Sequence, residues 1–232
     1  MDQHDFALTT ASGESLRQQV YDELRSRIRQ GAFADGTKLV DVAIAKMLGI
    51  SRMPVREALL RLAAEGHVQP SSRGFEVRKP DAEAIAEIFE ARRLIEPQVA
   101  ANAARCLTEA ELDRMSTLYE EAEAAVARGD IEGFGLINAE FRAIWMNASP
   151  NKRLSGMLQH FTDQVEIVRQ ATLTDPRTQR IVLDGTKDLL MAFKRRDTLA
   201  VFERMYRFTC DAEYSYSRLP HVLAEIRAKE SP

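Results

Sequence analysis

A chain of 232 residues, 45% hydrophobic, 29% charged and at a formal net charge of −3, has room for two modest domains, each with its own core. Two cysteines, Cys106 and Cys210, without a Cys-x-x-Cys spacing argue against a disulfide framework, and no apolar run approaches the roughly 20 residues of a membrane helix. The start, Met1-Asp2-Gln3-His4-Asp5, is acidic where a secretory signal would be basic and then apolar, so a cytoplasmic location is expected. Residues 1–79 carry 12 Lys+Arg against 10 Asp+Glu, and the rest 20 against 25. A mildly basic module on an acidic body suits site-specific contact with DNA better than indiscriminate coating.

In chain order, residues 1–13 read as a flexible tail and residues 14–79 as a first domain. Ser15 is an N-cap for a helix whose stripe Leu16, Val20, Leu24, Ile28 recurs every four residues up to Gly31. After a turn at Gly31–Gly36, two short helices are predicted over residues 42–66, joined at Gly49, with Ser51 capping the second and Gly66 ending it. Leu48, Ile50, Val55, Leu59 and Leu62 hold the pair together as core. Residues 67–78 alternate around Ser71-Ser72-Arg73-Gly74, which predicts a β-hairpin.

Two short helices followed by a hairpin are the parts of a winged helix-turn-helix. Pro54 falls in the first turn of the second helix, where its missing N–H costs nothing, and the free amides and dipole of that end suit a phosphate oxygen. Arg52 and Arg56 lie four apart and project from one face, within reach of a guanine edge or a phosphate. Singly, each would read as solvated surface charge; inside this pattern DNA contact is favoured. Arg73 beside Gly74 at the wing tip could equally be an exposed turn arginine or a minor-groove reader.

From Pro80 onward the periodicity is helical, giving a second domain over residues 80–232. Asp81 caps a helix to about Cys106, bent at Pro97. Thr108 with Glu111 forms a capping box for a helix ending at Gly129. Asp130 caps the next, to about Asn147. Lys152 to about Thr172 and Thr178 to Arg196 follow, separated by Thr174-Asp175-Pro176. Asp197 caps a last helix to about Leu219, and the tail from His221 adds at most a short turn. The expected fold is therefore mainly α: a winged helix-turn-helix of three helices plus a β-hairpin, then an antiparallel bundle of about six helices.

The run from Leu39-Val40-Asp41 through Ser51-Arg52-Met53-Pro54-Val55-Arg56-Glu57-Ala58-Leu59 to Leu62 and Glu65-Gly66 resembles the DNA-binding domain of GntR-family bacterial regulators. In the FadR branch of that family, contacts come from the start of the recognition helix and from the wing. The resemblance thus implies DNA-binding roles for Ser51, Arg52, Arg56, Arg73 and Gly74. Val42 stands where several relatives carry an operator-reading arginine. The second domain resembles the all-helical FCD effector domain through Arg92-Arg93-Leu94-Ile95-Glu96, Asn138 with Phe141-Arg142, Ser149-Pro150-Asn151 and Arg195-Arg196-Asp197.

Most FCD domains hold a divalent metal with one Asp and three His. The matching positions here are Asn138, Arg142, Thr186 and Phe208, a poor donor set, and no pair among His4, His67, His160 and His221 has helical metal-site spacing. No metal or other cofactor is expected. Arg142 is instead expected to supply the positive charge to a carboxylate effector, with Arg92, Asn138 and Thr186 beside it and Phe208 as an apolar wall. The competing reading pairs Arg142 with Glu96 or Glu166 inside a degenerate pocket.

These features make the expected protein a homodimeric, ligand-responsive DNA-binding regulator, in its usual form a repressor of an inverted-repeat operator. A DNA-binding dimer whose helical half senses nothing is the alternative. An enzyme is disfavoured, because the helical half lacks a nucleophile site, a metal cluster and a phosphate loop.

Overall fold

The computed structural model describes residues 15–78, 81–166, 169 and 172–219. The chain divides into two compact units, Met1–Pro80 and Asp81–Pro232. The expected tail at residues 1–13 and the turn after His221 fall outside the described residues.

In the first unit the order is α1 (Leu16–Arg29), β1 (Lys38–Leu39), α2 (Asp41–Leu48), α3 (Arg52–Ala64), β2 (Val68–Ser71) and β3 (Gly74–Val77). The Ser15 hydroxyl accepts the Gln18 amide and starts α1, while Gly49 takes a left-handed conformation (φ 67°) that ends α2 and turns the chain into α3. Val20, Leu24 and Ile28 of α1 meet Ile44 of α2 and Val55, Leu59 and Leu62 of α3 in one buried core; Leu48 and Ile50 are partly buried at its edge. The apolar positions four apart on α1 are what turn that helix toward α3.

The hairpin gains a third strand that the sequence does not announce. The antiparallel sheet has the order β1-β3-β2, with Leu39 opposite Phe75 and Ser71 opposite Gly74. Two residues are too few to display a period of two, so β1 is specified by its partner rather than by its own pattern. Gly74 has φ 105°, and a Cβ there would stand 2.7 Å from the Leu39 carbonyl oxygen. Only glycine lets β1 approach β3 at that point.

The second unit contains α4 (Ala82–Ala104), α5 (Glu109–Arg128), α6 (Ile131–Ala148), α7 (Lys152–Gln164), α8 (Pro176–Lys194) and α9 (Thr198–Ser217). Side-chain caps start them: Asp81, Thr108 with Glu111, Asp130, Asn151, Asp175 and Asp197 each accept a first-turn amide. Helix α4 runs without a break through the buried Pro97. Helices α4 and α9 pack side by side, as do α5 and α6, and α8 and α9. Trp145, Leu158, Phe193 and Met205 lie in the largest core cluster.

Two boundaries differ from expectation. The helix from Lys152, expected to run to about Thr172, is interrupted after Gln164, because Val165 leaves regular helical geometry (ψ 5°) and is buried among Ile85, Phe89 and Tyr216, while Glu166, Arg169 and Thr172 beyond it are helical again. Tertiary packing there overrides local periodicity. Helix α8 starts at Pro176, two residues before the expected Thr178, since proline fits the first helical position and Asp175 caps it.

At one end of the bundle Arg196 adopts φ 54°, rare for a residue with a side chain. Its guanidinium donates to the carbonyls of Ala104 (3.2 Å) and Leu107 and to Glu109 (2.8 Å). It thereby joins the α8–α9 junction to the end of α4 and the start of α5.

Candidate nucleic-acid interface and an interior cavity

Helix α3 presents its first turns to solvent. Ser51, Arg52, Met53 and Arg56 are all exposed, while Val55, Ala58 and Leu59 on the opposite side are buried. Ser51 occupies the N-cap position with extended backbone, but its side chain makes no capping bond. The expected hydroxyl-to-amide cap is therefore absent, and the first amides of α3 keep their outward donors.

Arg52 is held in place by an acid that sequence reading overlooked. Its Nε donates to Asp41 Oδ2 at 2.8 Å, and Asp41 Oδ1 accepts the Val42 amide at 2.8 Å. Asp41 is buried at the start of α2, whereas the Arg52 side chain is 55% exposed. One edge of the guanidinium is thus fixed and the other faces out. Arg56 has no ion-pair partner among the described residues. Arg73 lies exposed in the two-residue turn between β2 and β3, and Gly74 opens β3 in its close approach to Leu39.

In the second unit Arg92, Asn138, Arg142, Thr186 and Phe208 all line one cavity. They come from α4, α6, α8 and α9, so the fold brings together residues that are remote in sequence. Much of the wall is apolar, with Phe141, Trp145, Leu189 and Met205 among its members. Arg92 is neutralised within the wall: its Nε and Nη2 reach Glu96 Oε2 at 3.0 and 2.9 Å, and Thr209 Oγ1 donates to the same oxygen at 3.4 Å. Glu96 is paired with Arg92, and Glu166 lies 3.7 Å from Arg169. Arg142 itself is half-buried rather than interior.

Asn138 is buried and its Nδ2 donates to the Phe134 carbonyl at 2.7 Å, tying the amide to its own helix. An engaged amide, a guanidinium, a hydroxyl and a phenyl ring are not a donor set for a divalent cation. No group of three His, Cys, Asp or Glu residues that could hold a metal occurs among the described residues. Nor is any helix among them long and apolar enough to cross a membrane.

Residues 16–75 match the family of bacterial regulatory proteins, gntR family, and residues 87–209, more than half of the chain, match the FCD domain. The chain belongs to the GntR family and carries an FCD domain. It is 28% identical to the HTH-type transcriptional regulator YdhC of Bacillus subtilis over 211 residues, covering 89% of this chain and 92% of that one. It is 25% identical to the HTH-type transcriptional repressor RspR of Escherichia coli, covering 83% and 85% respectively. The solved structure of E. coli McbR/YncC superposes with a TM-score of 0.73 at 26% identity, over 84% of this chain and 94% of that one. As a GntR-family member the protein is a DNA-binding transcription regulator, and the relatives are regulators rather than enzymes.

Three features of this FCD domain escape sequence reading. Arg169 and Trp145 both line the cavity, yet neither lies at a position that the metal-site comparison singles out. The third is Gly185 on α8, where a Cβ would stand 2.3 Å from Cδ2 of Phe208. Gly185 gives the Phe208 ring its place in the wall. Gly185→Ala must displace that ring, and the expected loss of stability is about 1–3 kcal/mol, the usual range for overpacking, read by urea denaturation. An unshifted melt would mean that α8 and α9 can separate freely at this point.

Proposed function

We propose that this GntR-family protein is a ligand-responsive repressor. In this reading it binds a short inverted-repeat operator as a homodimer in the cytoplasm, and a small organic acid in the FCD cavity controls its affinity for DNA. Ser51, Arg52 and Arg56 at the start of α3, with Arg73 and Gly74 of the wing, carry the DNA contact. Inside the cavity Arg142 holds the acid, with Arg92, Asn138 and Thr186 beside it and Phe208 as an apolar face. No metal takes part, because Arg142 supplies the positive charge that a cation would otherwise provide.

The observation that carries this reading is the cavity wall. Its described residues include three arginines against one glutamate, and that glutamate is paired with Arg92. A largely apolar pocket whose lining carries more arginine than acid suits an organic anion better than a cationic ligand. The repressor sense is supported by RspR, itself a transcriptional repressor. An exposed arginine pair beside an open helix N-terminus supports the DNA contact.

The ligand acts by binding one arrangement of the dimer more tightly than another. Coupling of ordinary strength changes operator affinity about 5–150-fold. DNA selected by the full-length protein from a random pool supplies the operator. Carboxylic acids are then titrated while DNA affinity and Trp145 fluorescence are followed, Trp145 being the only tryptophan of the chain and a cavity residue. At least one acid is expected to change both signals, and Arg142→Ala to weaken its binding by roughly tenfold or more. If no acid alters either signal, the effector reading is wrong.

A further inference from the structure

We propose that the outward face shared by α4 and α9 seats a second copy of this chain, related to the first by a two-fold axis that passes near Gln98. The inference rests on the homodimer reading above and deepens it, giving the dimer a surface and a register.

The two helices run antiparallel along each other. Arg93 of α4 pairs with Glu213 near the end of α9, Thr209 donates to Glu96, and Arg105 shares a groove with Thr198 at the start of α9. That groove is walled by Gln98 and Asn102 on α4 and by Leu199 and Phe202 on α9, with the buried Ala101 between them. The short side chain of Ala101 leaves a hollow there. One turn before the groove Leu94 stands 74% exposed, and Leu199 is 68% exposed. Positions 94, 98, 102 and 105 fall three or four apart, so the projecting leucine and the hollow lie in line on one helix face. Gln98 Nε2 donates to Asn102 Oδ1 at 2.9 Å along that line.

A knob and a hollow on the same face of one helix cannot fill each other within one chain. An isologous pairing fills both at once, because residue i meets residue j and j meets i. With α4 antiparallel to its counterpart and the axis at Gln98, Leu94 lies opposite Asn102 of the second copy, over the hollow at Ala101. The charges of α4 select the same arrangement. Its exposed face begins with Glu83, Glu87 and Glu90 and ends with Arg105. In the antiparallel register Glu90 falls opposite Arg105 of the second copy to within one residue, about 1.5 Å of rise. That match occurs twice per dimer, whereas a parallel register sets Glu90 against Glu90 and Arg105 against Arg105. Neither Glu90 nor Arg105 has an ion-pair partner among the described residues.

Sedimentation equilibrium and native mass spectrometry of the full-length protein test this face. The wild type is expected to be a dimer, and Leu94→Asp to raise its dissociation constant about 100-fold or more, because each dimer loses two buried leucines. Leu94 lies outside the core of its own chain, so circular dichroism should stay that of the wild type. Glu90→Arg and Arg105→Glu each set like charges against each other and are expected to weaken the dimer roughly tenfold. Mixed in equal amounts, these two proteins are expected to form the heterodimer in preference to either homodimer, since there alone every residue 90 meets an opposite charge at residue 105. General damage to folding does not produce such a rescue. A dimeric wild type with an equally dimeric Leu94→Asp overturns the proposal and leaves the homodimer reading standing. A merely statistical mixture of the two charge variants overturns it as well. Should Leu94→Asp precipitate, the charge variants decide the matter. A wild type that stays monomeric defeats the homodimer reading itself, and this face with it.

Discussion

Replacing Arg52 and Arg56 together with alanine is expected to lower affinity for the selected operator by roughly 100-fold or more, since each specific arginine contact accounts for about 1–3 kcal/mol. Both side chains are exposed on the first turns of α3 and neither is part of the core, so circular dichroism should remain that of the wild type, and the melt should fall only by the loss of the Arg52–Asp41 bond, about 1–3 kcal/mol. The single variants separate two kinds of contact. Loss of a base contact relaxes preference at one operator position. Loss of a phosphate contact weakens all sequences alike and reduces the slope of log affinity against log salt by about one. Asp41→Ala provides an internal check. It frees the Arg52 guanidinium from its 2.8 Å hydrogen bond without removing any charge that could face DNA. An affinity loss in that variant, smaller than in Arg52→Ala, would assign Asp41 the job of aiming Arg52. A double variant that binds operator normally would instead remove α3 from the interface.

The second large effect concerns stability. Glu96→Ala leaves the Arg92 guanidinium buried in the cavity wall with no carboxylate at 2.9–3.0 Å. Breaking one side of a buried pair costs about 3–5 kcal/mol, a large share of the roughly 5–15 kcal/mol that holds a typical domain folded. Urea denaturation followed by far-ultraviolet circular dichroism and by Trp145 fluorescence reads the loss. The double replacement Arg92→Met with Glu96→Leu should recover most of it, because two apolar side chains of similar volume avoid the desolvation of both charges. If Glu96→Ala costs less than about 1 kcal/mol, water reaches the pair and it is not a buried one.

What could be read from the sequence was what is decided locally. Asp81, Thr108 with Glu111, Asp130 and Asp197 start helices as expected, because a cap needs only an oxygen two or three residues before an amide. The four-residue stripe of α1 marks its buried face for the same reason. Features fixed by remote partners were not legible. Strand β1 exists only by pairing with β3, and the turn at Val165 exists because that side chain packs against Phe89 and Tyr216. Asp41 and Arg52 sit on successive helices, and no spacing rule links them. The Arg92–Glu96 pair does lie at a readable four-residue interval, whereas the sequence reading offers Glu96 only as one of two alternative partners for Arg142. The place of Arg169 in the wall was not legible either, since it depends on the remote helices that close the cavity.

The clamp made by Arg196 has a mechanical corollary. By gripping the last carbonyls of α4 and the start of α5 from the α8–α9 junction, it welds one end of the bundle shut. The first turns of α4 lie at the opposite end of that helix, held by apolar packing of Ile85 and Phe89 rather than by such a clamp. Amide exchange is expected to be slow around residues 104–109 and 194–197 and faster in the first turns of α4, and the opposite gradient would place the hinge elsewhere.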